Sequence, residues 1–303
     1  MPTLSLDGQA DEDQWIWESF RYHSRTFSLA AYLLPRSVQM SVATLYLYCR
    51  RVDSIADQRV LEVGRERALQ EVKAVRDRLD DTLDGNPPSN TVLWRRLAEV
   101  HEHASLPREP LYELIRGAIW DLKAHPIASK KDLIDYSNLV GGSVGAMMLP
   151  FLAADARHDA LEPAARRLGI AMQITNIVRD VGEDIDDLGR VYLPQQWLDS
   201  HDVSEEDLAS AHVSNGYPAL LEQAMSTAES YYTESFDGVS ELPFRSRHGI
   251  RAAARMYREI MNEVRANDYD NLSQRAYVSL RRKLWLLIYD GYNRRKRRLA
   301  VAA

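Results

Sequence analysis

The segment MQITNIVRDVGEDIDDLGRVYLP, residues 172–194, combines the apolar pattern of a buried helix with a regular series of polar residues. Four polar residues in it are spaced by three, four and four positions: Gln173, Asn176, Asp180 and Asp184. Residues three and four apart share one face of a helix, so these four form one polar stripe, called the second stripe below. The positions between them are apolar, namely Ile174, Ile177, Val178 and Val181. We therefore expect a largely buried helix with one polar face.

A similar pattern occurs earlier, in LYLYCRRVDSIAD, residues 45–57. Its polar residues are spaced by four, three and four positions: Tyr46, Arg50, Asp53 and Asp57. They form the first stripe. The positions around them are again apolar: Leu45, Cys49, Val52 and Ala56. This helix should also be largely buried, with one polar face.

The aspartates of both stripes indicate a metal site. Two carboxylates four residues apart on a helix repel each other, and burying them without a partner costs several kcal/mol more. Cations relieve this cost, and Mg²⁺ suits the pattern because it takes one or two carboxylates and bridges to substrate phosphates. The alternative is that each pair of aspartates is a solvated helix face. Because the pattern occurs twice inside apolar helices, we favour a site that binds a diphosphate with its ions.

Helical spacing extends along most of the chain. Apolar residues recur three and four apart in Asp11–Phe20, Val38–Leu83, Val92–Ala104, 109–124, 131–154, 159–185, 205–211, 217–236, 247–267 and 279–293. Strict alternation is hard to find, and no Ser/Gly linker separates two halves. We predict an all-α, single helical domain over residues 1–303 with roughly ten helices, since the apolar period is helical throughout. Residues 1–10 are expected to be flexible, and residues 294–303 form a basic tail.

Composition limits the function classes. The 303 residues carry a net charge of −6, so a general attraction to nucleic acid is not expected. A single cysteine, Cys49, fits a reducing cytoplasm. The acidic N-terminus lacks the apolar core of a secretion signal, and no apolar run is long enough for a membrane span. We expect a cytoplasmic protein. The sequence gives no indication of oligomeric state.

The two stripes lie in motifs that resemble those of squalene and phytoene synthases, and bacterial phytoene synthases most of all. The resemblance runs from HSRTFS, residues 23–28, to the region of Arg275, and NIVRDVGEDIDDLGRVYLP, residues 176–194, is its most specific part. ELPFRSRHGIRAAARMYREI, residues 241–260, supports the phytoene branch. The first motif, DSIAD, departs from many relatives because Ser54 replaces a second aspartate.

This resemblance implies the isoprenoid synthase fold with a central cavity between helices. It assigns Asp53, Asp57, Asp180 and Asp184 to Mg²⁺, with Mn²⁺ as a substitute. It also implies catalytic roles for Arg50 and Tyr46. The substrate-binding residues that it implies are His23, Ser24, Arg25, Thr26, Tyr136, Gln173, Asn176, Arg179, Tyr257 and Arg275. Of these, Gln173, Asn176 and Tyr136 would line the polar end of the cavity with Tyr46.

The implied activity is that of a prenyltransferase, the phytoene synthase reaction. Two geranylgeranyl diphosphates are joined head to head through a cyclopropylcarbinyl diphosphate. The alternative is a squalene or dehydrosqualene synthase that uses two C15 farnesyl diphosphates. NADPH is not expected unless the protein is a squalene synthase. A non-enzymatic helical scaffold is the remote alternative, and it would not need two buried acidic stripes.

Several of these residues also have structural interpretations. Ser24 and Thr26 could cap a helix, Arg50 could pair with an aspartate at the surface, and the tyrosines could belong to the core. The glycines of VGGSVGAMMLPF, residues 140–151, either allow close helix packing or open room for a prenyl tail, and we favour the cavity. The basic tail could be a solvated helix end or could contact an anionic membrane surface.

Overall fold

The computed structural model describes residues 9–88, 91–153 and 157–286, and every regular element within these ranges is helical. The fifteen α-helices are α1 (Gln9–His23), α2 (Arg25–Ala31), α3 (Arg36–Ser54), α4 (Val60–Val63), α5 (Arg65–Leu83), α6 (Val92–Ala104), α7 (Arg108–Leu122), α8 (Lys130–Ser137), α9 (Ser143–Met147), α10 (Leu149–Leu152), α11 (His158–Leu188), α12 (Gln195–Ser200), α13 (Glu205–Ala209), α14 (Tyr217–Glu241) and α15 (Phe244–Ala266). Two π-helical turns, Ile55–Arg59 and Asn138–Gly142, interrupt this series, and residues 280–286 are helical as well.

The all-α class is confirmed, but the predicted number of about ten helices is too low. The stretch Val38–Leu83 was expected to be helical throughout. It is divided by the π turn Ile55–Arg59 and by Gly64, whose φ of +79° lies in the left-handed region. Apolar spacing continues across both breaks, so it does not reveal them. The predicted flexible segment lies outside the described residues except for Gln9 and Ala10, which begin α1, and the tail 294–303 lies outside them entirely.

Helix α11, which carries the second stripe, packs mainly against α14 and against the α8–α9 region. Its apolar positions are buried as expected: Ile174, Ile177, Val178 and Val181 are at most 4% exposed. The apolar residues beside the first stripe, Leu45, Cys49, Val52 and Ala56, are likewise buried. Both polar stripes therefore belong to helices that are held in the core. None of the described helices is long and apolar enough to cross a bilayer.

An apolar cavity of about 260 Å³ lies between α2, α3, α9, α10, α11, α14 and α15. Along α11 its wall extends from Asn176 to Leu161. At 1.5 Å per residue this is roughly 22 Å of helix. Tyr46, Asp53, Gln173 and Asn176 supply the polar part of the lining, and aliphatic residues, aromatic residues and glycines supply most of the rest. The structure thus contains the cavity between helices that the sequence resemblance implies.

Glycines hold the α8–α9 region directly against α11. A Cβ on Gly141 would lie 2.8 Å from Cβ of Gln173, and one on Gly145 would lie 2.7 Å from the backbone carbon of Ala165. Gly169 faces them, and a Cβ there would lie 2.9 Å from the backbone nitrogen of Gly142. Gly141 and Gly145 do line the cavity. Both interpretations therefore apply to them: they line the cavity, and backbone of α11 occupies the position that a Cβ would take.

We expect Gly169→Ala to lower the free energy of unfolding by about 2 kcal/mol, since its new methyl group meets backbone that cannot move aside. The matched control is Gly249→Ala, where a Cβ meets the flexible end of the Leu34 side chain. The control should cost less than about 1 kcal/mol because alanine also favours the helix. Urea unfolding of both variants measures the difference. Equal costs would show that the backbone contact at Gly169 does not limit packing.

Candidate active site

Of the four aspartates in the two stripes, Asp53 lines the polar end of the cavity, and the other three follow on the same two stretches of chain. Asp53 lies near the end of α3, and Asp57 follows in the π turn. Asp180 and Asp184 lie in the last turns of α11. The two pairs interact electrostatically, since Asp57 contributes to raising the pKa of Asp184. The π turn fits this location, because such turns are frequent at functional sites.

Burial opposes ionisation of these carboxylates. Burial first, and then the charge of Asp57, raise the pKa of Asp53 to about 8. Burial and the neighbouring Asp180 and Asp57 raise the pKa of Asp184 to about 8 as well. The pKa of Asp57 is also raised by burial, although Arg190 and Arg50 act in the opposite direction. The site therefore has an electrostatic need for positive charge.

The arrangement of the acidic side chains limits which divalent cation fits the site. Within residues 9–88, 91–153 and 157–286, no three acidic, histidine or cysteine side chains form a group that could hold a metal ion. A preformed cage of protein ligands, as Zn²⁺ or Ca²⁺ would need, is therefore not built there. Mg²⁺ is bound differently, through one or two carboxylates, several waters and substrate phosphates. The carboxylates of the two stripes fit an ion of this kind.

Two arginines neutralise Asp180. Arg179 Nε lies 2.7 Å from Asp180 Oδ1, and Arg275 Nε lies 2.9 Å from the same oxygen. Arg275 also reaches Glu183 at 3.1 Å. The nearby Tyr257 is buried, and burial raises the pKa of its hydroxyl while Arg179 lowers it. Three of the residues expected to contact diphosphates, Arg179, Tyr257 and Arg275, are thus brought together beside the second stripe.

The residues at the start of α2 form a second basic region. Ser24 caps α2, with its Oγ accepting a hydrogen bond from the Phe27 amide at 3.1 Å, so the capping alternative describes this contact. Thr26 Oγ1 accepts a hydrogen bond from Lys283 Nζ at 2.8 Å. Burial first, then Arg179 and Arg25, lower the pKa of Lys283. A cation in this environment favours an anionic ligand.

Tyr46 and Arg50 of the first stripe adjoin this basic region. Tyr46 lines the cavity, and its ring lies 4.7 Å from that of Phe20. Burial raises the pKa of its hydroxyl above the ordinary range. Arg50 lowers the pKa of Asp53 and Asp57, and after burial it is the next cause of the lowered pKa of His23. Arg50 thus acts on both the carboxylates and the basic region.

The amides of the second stripe line the cavity beside Tyr46 and Asp53. Asn176 Nδ2 donates to Gln173 Oε1 at 3.3 Å. The other amide atom, Asn176 Oδ1, is buried without a hydrogen-bond partner among the described residues. A buried acceptor without a partner is costly, so a donor from a ligand or from water would stabilise it.

Tyr136 does not line the cavity within the described residues. It is buried, and its hydroxyl donates to Asp121 Oδ2 at 3.0 Å. Its ring is stacked on that of Tyr192 at a centroid distance of 5.0 Å. The Tyr136 hydroxyl therefore meets Asp121 instead of the amides of Gln173 and Asn176, and its role in substrate binding stays a prediction. The immediate neighbours of Tyr136 in sequence, Asp135 and Ser137, are polar, and spacing alone does not show which side of α8 faces the cavity.

Sequence reasoning missed four residues near the carboxylates: Asp121, Arg190, Tyr192 and Lys283. Asp121 is the one acid in the last two turns of α7, beside the apolar Ile119, Trp120 and Leu122, and this was a signal available in the sequence. Arg190 and Tyr192 lie in the quoted segment 172–194, but they follow the helix and so belong to no stripe. Lys283 is one of several basic residues near the C-terminus, and only the structure distinguishes it by its burial.

The helical architecture is that of the all-α isoprenoid synthase fold, as the likeness to solved structures shows. The chain superposes on the crystal structure of a dehydrosqualene synthase in complex with ligand with a TM-score of 0.84, at 31% sequence identity over 94% of this chain and 97% of that one. The squalene synthase structure from Alicyclobacillus acidocaldarius has a TM-score of 0.73 and covers 85% of this chain and 94% of that one. At 23% identity, that second likeness shows the fold alone.

The profile of the squalene/phytoene synthase family matches residues 20–282, so the chain belongs to that family. The phytoene synthase of Cereibacter sphaeroides is 36% identical over 275 residues, which cover 89% of this chain and 76% of that protein. The phytoene synthase of Rhodobacter capsulatus is 37% identical over 273 residues, 89% of this chain and 78% of that protein. The chain is accordingly an enzyme of the prenyltransferase type.

The raised pKa of Asp53 has a consequence for stability. An unfolded aspartate has a pKa near 3.9, so the folded state of this group binds a proton more tightly, and its contribution to stability falls as pH rises toward about 8. We expect Asp53→Asn to raise the Tm of metal-free protein by about 4 °C near pH 8.5 and by less near pH 5.5. Thermal unfolding in chelator at both pH values measures this.

The control for this measurement is Asp207→Asn. Hydrogen bonds from Ser204 lower the pKa of Asp207, so this carboxylate stays ionised across the same range and its loss should lower the Tm at both pH values. An Asp53→Asn gain that is absent, or equal at the two pH values, would contradict the buried-charge interpretation.

Proposed function

We propose that the protein is a Mg²⁺-dependent phytoene synthase, which joins two geranylgeranyl diphosphates head to head. The observation that carries this proposal is a set of four electrostatically coupled aspartates, Asp53, Asp57, Asp180 and Asp184, of which Asp53 lines the polar end of an apolar cavity. The identity of 36–37% with two bacterial phytoene synthases supports this branch of the family. The second candidate, a C15 enzyme of the dehydrosqualene or squalene type, is favoured by the structural likeness to a dehydrosqualene synthase.

In this proposal, Asp53, Asp57, Asp180 and Asp184 would hold the ions. Bound Mg²⁺ would neutralise charge on the diphosphate as its bond to carbon breaks. Arg50, Arg179 and Arg275 would bind the diphosphate oxygens, since guanidinium groups match them in bidentate fashion. Lys283 would add a point charge beside Thr26. The remaining contacts proposed for the diphosphates come from His23, Ser24, Arg25, Thr26 and Tyr257.

The cavity wall would control the carbon chemistry. In the first half-reaction one allylic substrate loses its diphosphate, the double bond of the second substrate attacks the resulting cation, and loss of a proton closes the ring of a cyclopropylcarbinyl diphosphate. In the second half-reaction this intermediate loses its diphosphate, rearranges and loses a proton. The apolar walls would exclude water, which captures carbocations. The ring of Tyr46, which lines the cavity near Asp53, would offer a π face to the cation.

We further propose a cytoplasmic enzyme that contacts the inner membrane surface, because a C40 hydrocarbon must leave into lipid. Two cavity-lining residues have exposed apolar neighbours in sequence: Leu33 precedes Leu34, and Phe244 lies two positions after Leu242. Leu33 is 39% exposed and Phe244 is 58% exposed, and Arg36 and Arg245 lie exposed beside them. Arginine near an anionic surface favours binding. Sedimentation with anionic and with neutral vesicles tests this proposal.

The metal proposal predicts that Asp53→Asn and Asp180→Asn each reduce turnover by about a hundredfold or more while the protein stays folded, because each stripe would lose an ion ligand. The control is Asp77→Asn, on the exposed face of α5, which should retain activity. The assay is product analysis with C15 and C20 diphosphates, with and without NADPH, over a Mg²⁺ titration. A stripe whose variant keeps wild-type turnover would be structural.

Cavity depth should decide between C15 and C20 substrates. Ala165 of α11 lines the cavity about 16 Å along the helix from Asn176, at 1.5 Å per residue. We expect Ala165→Leu to shift the C20/C15 ratio of kcat/KM toward C15 by about tenfold or more, because the larger side chain shortens the channel. Competition assays with mixed diphosphates measure this ratio.

The matched control is Ala74→Leu, which adds the same atoms on exposed α5 and should leave the ratio unchanged. Thermal unfolding of both variants checks folding first, since overpacking costs about 1–3 kcal/mol. A folded Ala165→Leu enzyme with an unchanged ratio would show that the prenyl tail does not reach this part of the cavity.

A further inference from the structure

Residues 189–194, called the flap here, leave the end of α11 and cross beside the carboxylates. Gly189 ends the helix with a φ of +61°, in the left-handed region that glycine adopts readily. The Gly189 amide donates to the Ile185 carbonyl at 2.9 Å, and the Arg190 amide donates to the Asp184 carbonyl at 3.0 Å. These backbone hydrogen bonds fix the direction in which the flap leaves α11. The position of its remaining residues depends on side-chain contacts.

The Arg190 guanidinium connects the flap to the first stripe. Nη2 donates to the Ala56 carbonyl at 2.9 Å, and Nη1 lies 3.4 Å from Asp57 Oδ1. Nη1 also donates to the Tyr192 hydroxyl at 3.2 Å. The Arg190 side chain is 15% exposed, so these contacts are only slightly screened by water. Arg190 therefore supplies positive charge to a carboxylate that burial disfavours.

Tyr192 is held in turn by Asp121 of α7. Its hydroxyl donates to Asp121 Oδ1 at 2.9 Å, while the Tyr136 hydroxyl donates to Oδ2 at 3.0 Å. The two tyrosine rings are stacked at 5.0 Å with an interplanar angle of 20°. Asp121 is 9% exposed, and the two hydroxyls satisfy both of its oxygens. Burying a carboxylate is costly, and these two hydrogen bonds offset part of that cost.

We propose that Asp121 is a positioning residue that latches the flap. Through Tyr192, it fixes Arg190 against Asp57 and Ala56, so that the flap stays closed over the first stripe. Tyr136 braces Asp121 from the core side and sets the direction in which its carboxylate points. This inference deepens the proposed function, on which it rests for the role of Asp57. The latch itself is a structural property and can be tested without turnover.

Arg190 is itself a trypsin cleavage site, which gives a direct measure of the latch. Cleavage of a folded protein reports the population of the locally open state when reclosing is fast. We expect Tyr192→Phe to accelerate cleavage after Arg190 by about tenfold, because a hydrogen bond to a buried carboxylate is lost. Mass spectrometry identifies the fragment that ends at Arg190, and cleavage after the exposed Arg65 provides an internal reference.

The matched control is Tyr112→Phe. Tyr112 lies on the same helix as Asp121 and donates its hydroxyl to Asp80, away from the flap. It should leave cleavage after Arg190 at the wild-type rate. A second test variant, Asp121→Asn, keeps one acceptor oxygen and should give an intermediate rate. Cleavage at the wild-type rate in both Tyr192→Phe and Asp121→Asn would overturn the latch.

Thermal unfolding and kinetics separate positioning from a general structural role. Both test variants should keep the Tm of the Tyr112→Phe control, and their kcat should fall by about fivefold or more with KM within about twofold, since the cavity still binds the prenyl tails. If both variants had a lower Tm than the control together with faster cleavage after Arg190, Asp121 would only stabilise the core. That result would overturn the proposal. A wild-type protein that makes no C30 or C40 product would contradict the proposed function, while the cleavage results would still decide the latch.

Discussion

The constraint on which the rest of this structure depends is the burial of like charges at the end of an apolar cavity. Burial raises the pKa of Asp53, Asp57 and Asp184, and the charge of neighbouring carboxylates raises it further at Asp53 and Asp184. Such an arrangement is costly for a folded protein unless cations offset it. Arginines from three different parts of the chain do so here: Arg190 beside Asp57, and Arg179 and Arg275 beside Asp180. The buried carboxylates lower the stability of the folded protein, as expected for groups that serve to bind cations.

The position of the carboxylates depends on how closely the helices around α11 can approach. Gly141 and Gly145 on one side, and Gly169 on the other, bring backbones into direct contact along one flank of α11. The opposite flank packs on α14, where Thr175 Oγ1 lies 3.1 Å from the Tyr232 hydroxyl. Helix α11 is therefore fixed on two sides, while its stripe faces the cavity. A long, firmly held helix suits a site that must align a charged end with an apolar channel, because both are built on one rigid element.

Acidic and basic side chains around the site form two separate groups. The carboxylates gather on α3 and α11, whereas a basic group formed by Arg25, Arg179 and Lys283 gathers around Thr26. An anion entering between the two regions would meet carboxylates that need a bound cation on one side and fixed cations on the other. This division explains how a chain with a net charge of −6 can still attract a diphosphate. It also explains why overall charge is a poor guide to ligands here.

The sequence by itself determined the all-α class, the burial of both stripe-bearing helices and the family, because helical periodicity and residues three or four apart are local properties of the chain. The tertiary structure alone decided which distant residues meet these stripes. Asp121 joins Tyr136 and Tyr192 across three separate elements, and Lys283 reaches Thr26 from the far end of the described chain. The tertiary structure also showed that the cavity-lining glycines meet the backbone of a neighbouring helix, and it placed the Tyr136 hydroxyl on Asp121. Periodicity shows which residues share a face of one helix, but which neighbour that face meets depends on packing between helices, and packing is set by the whole chain.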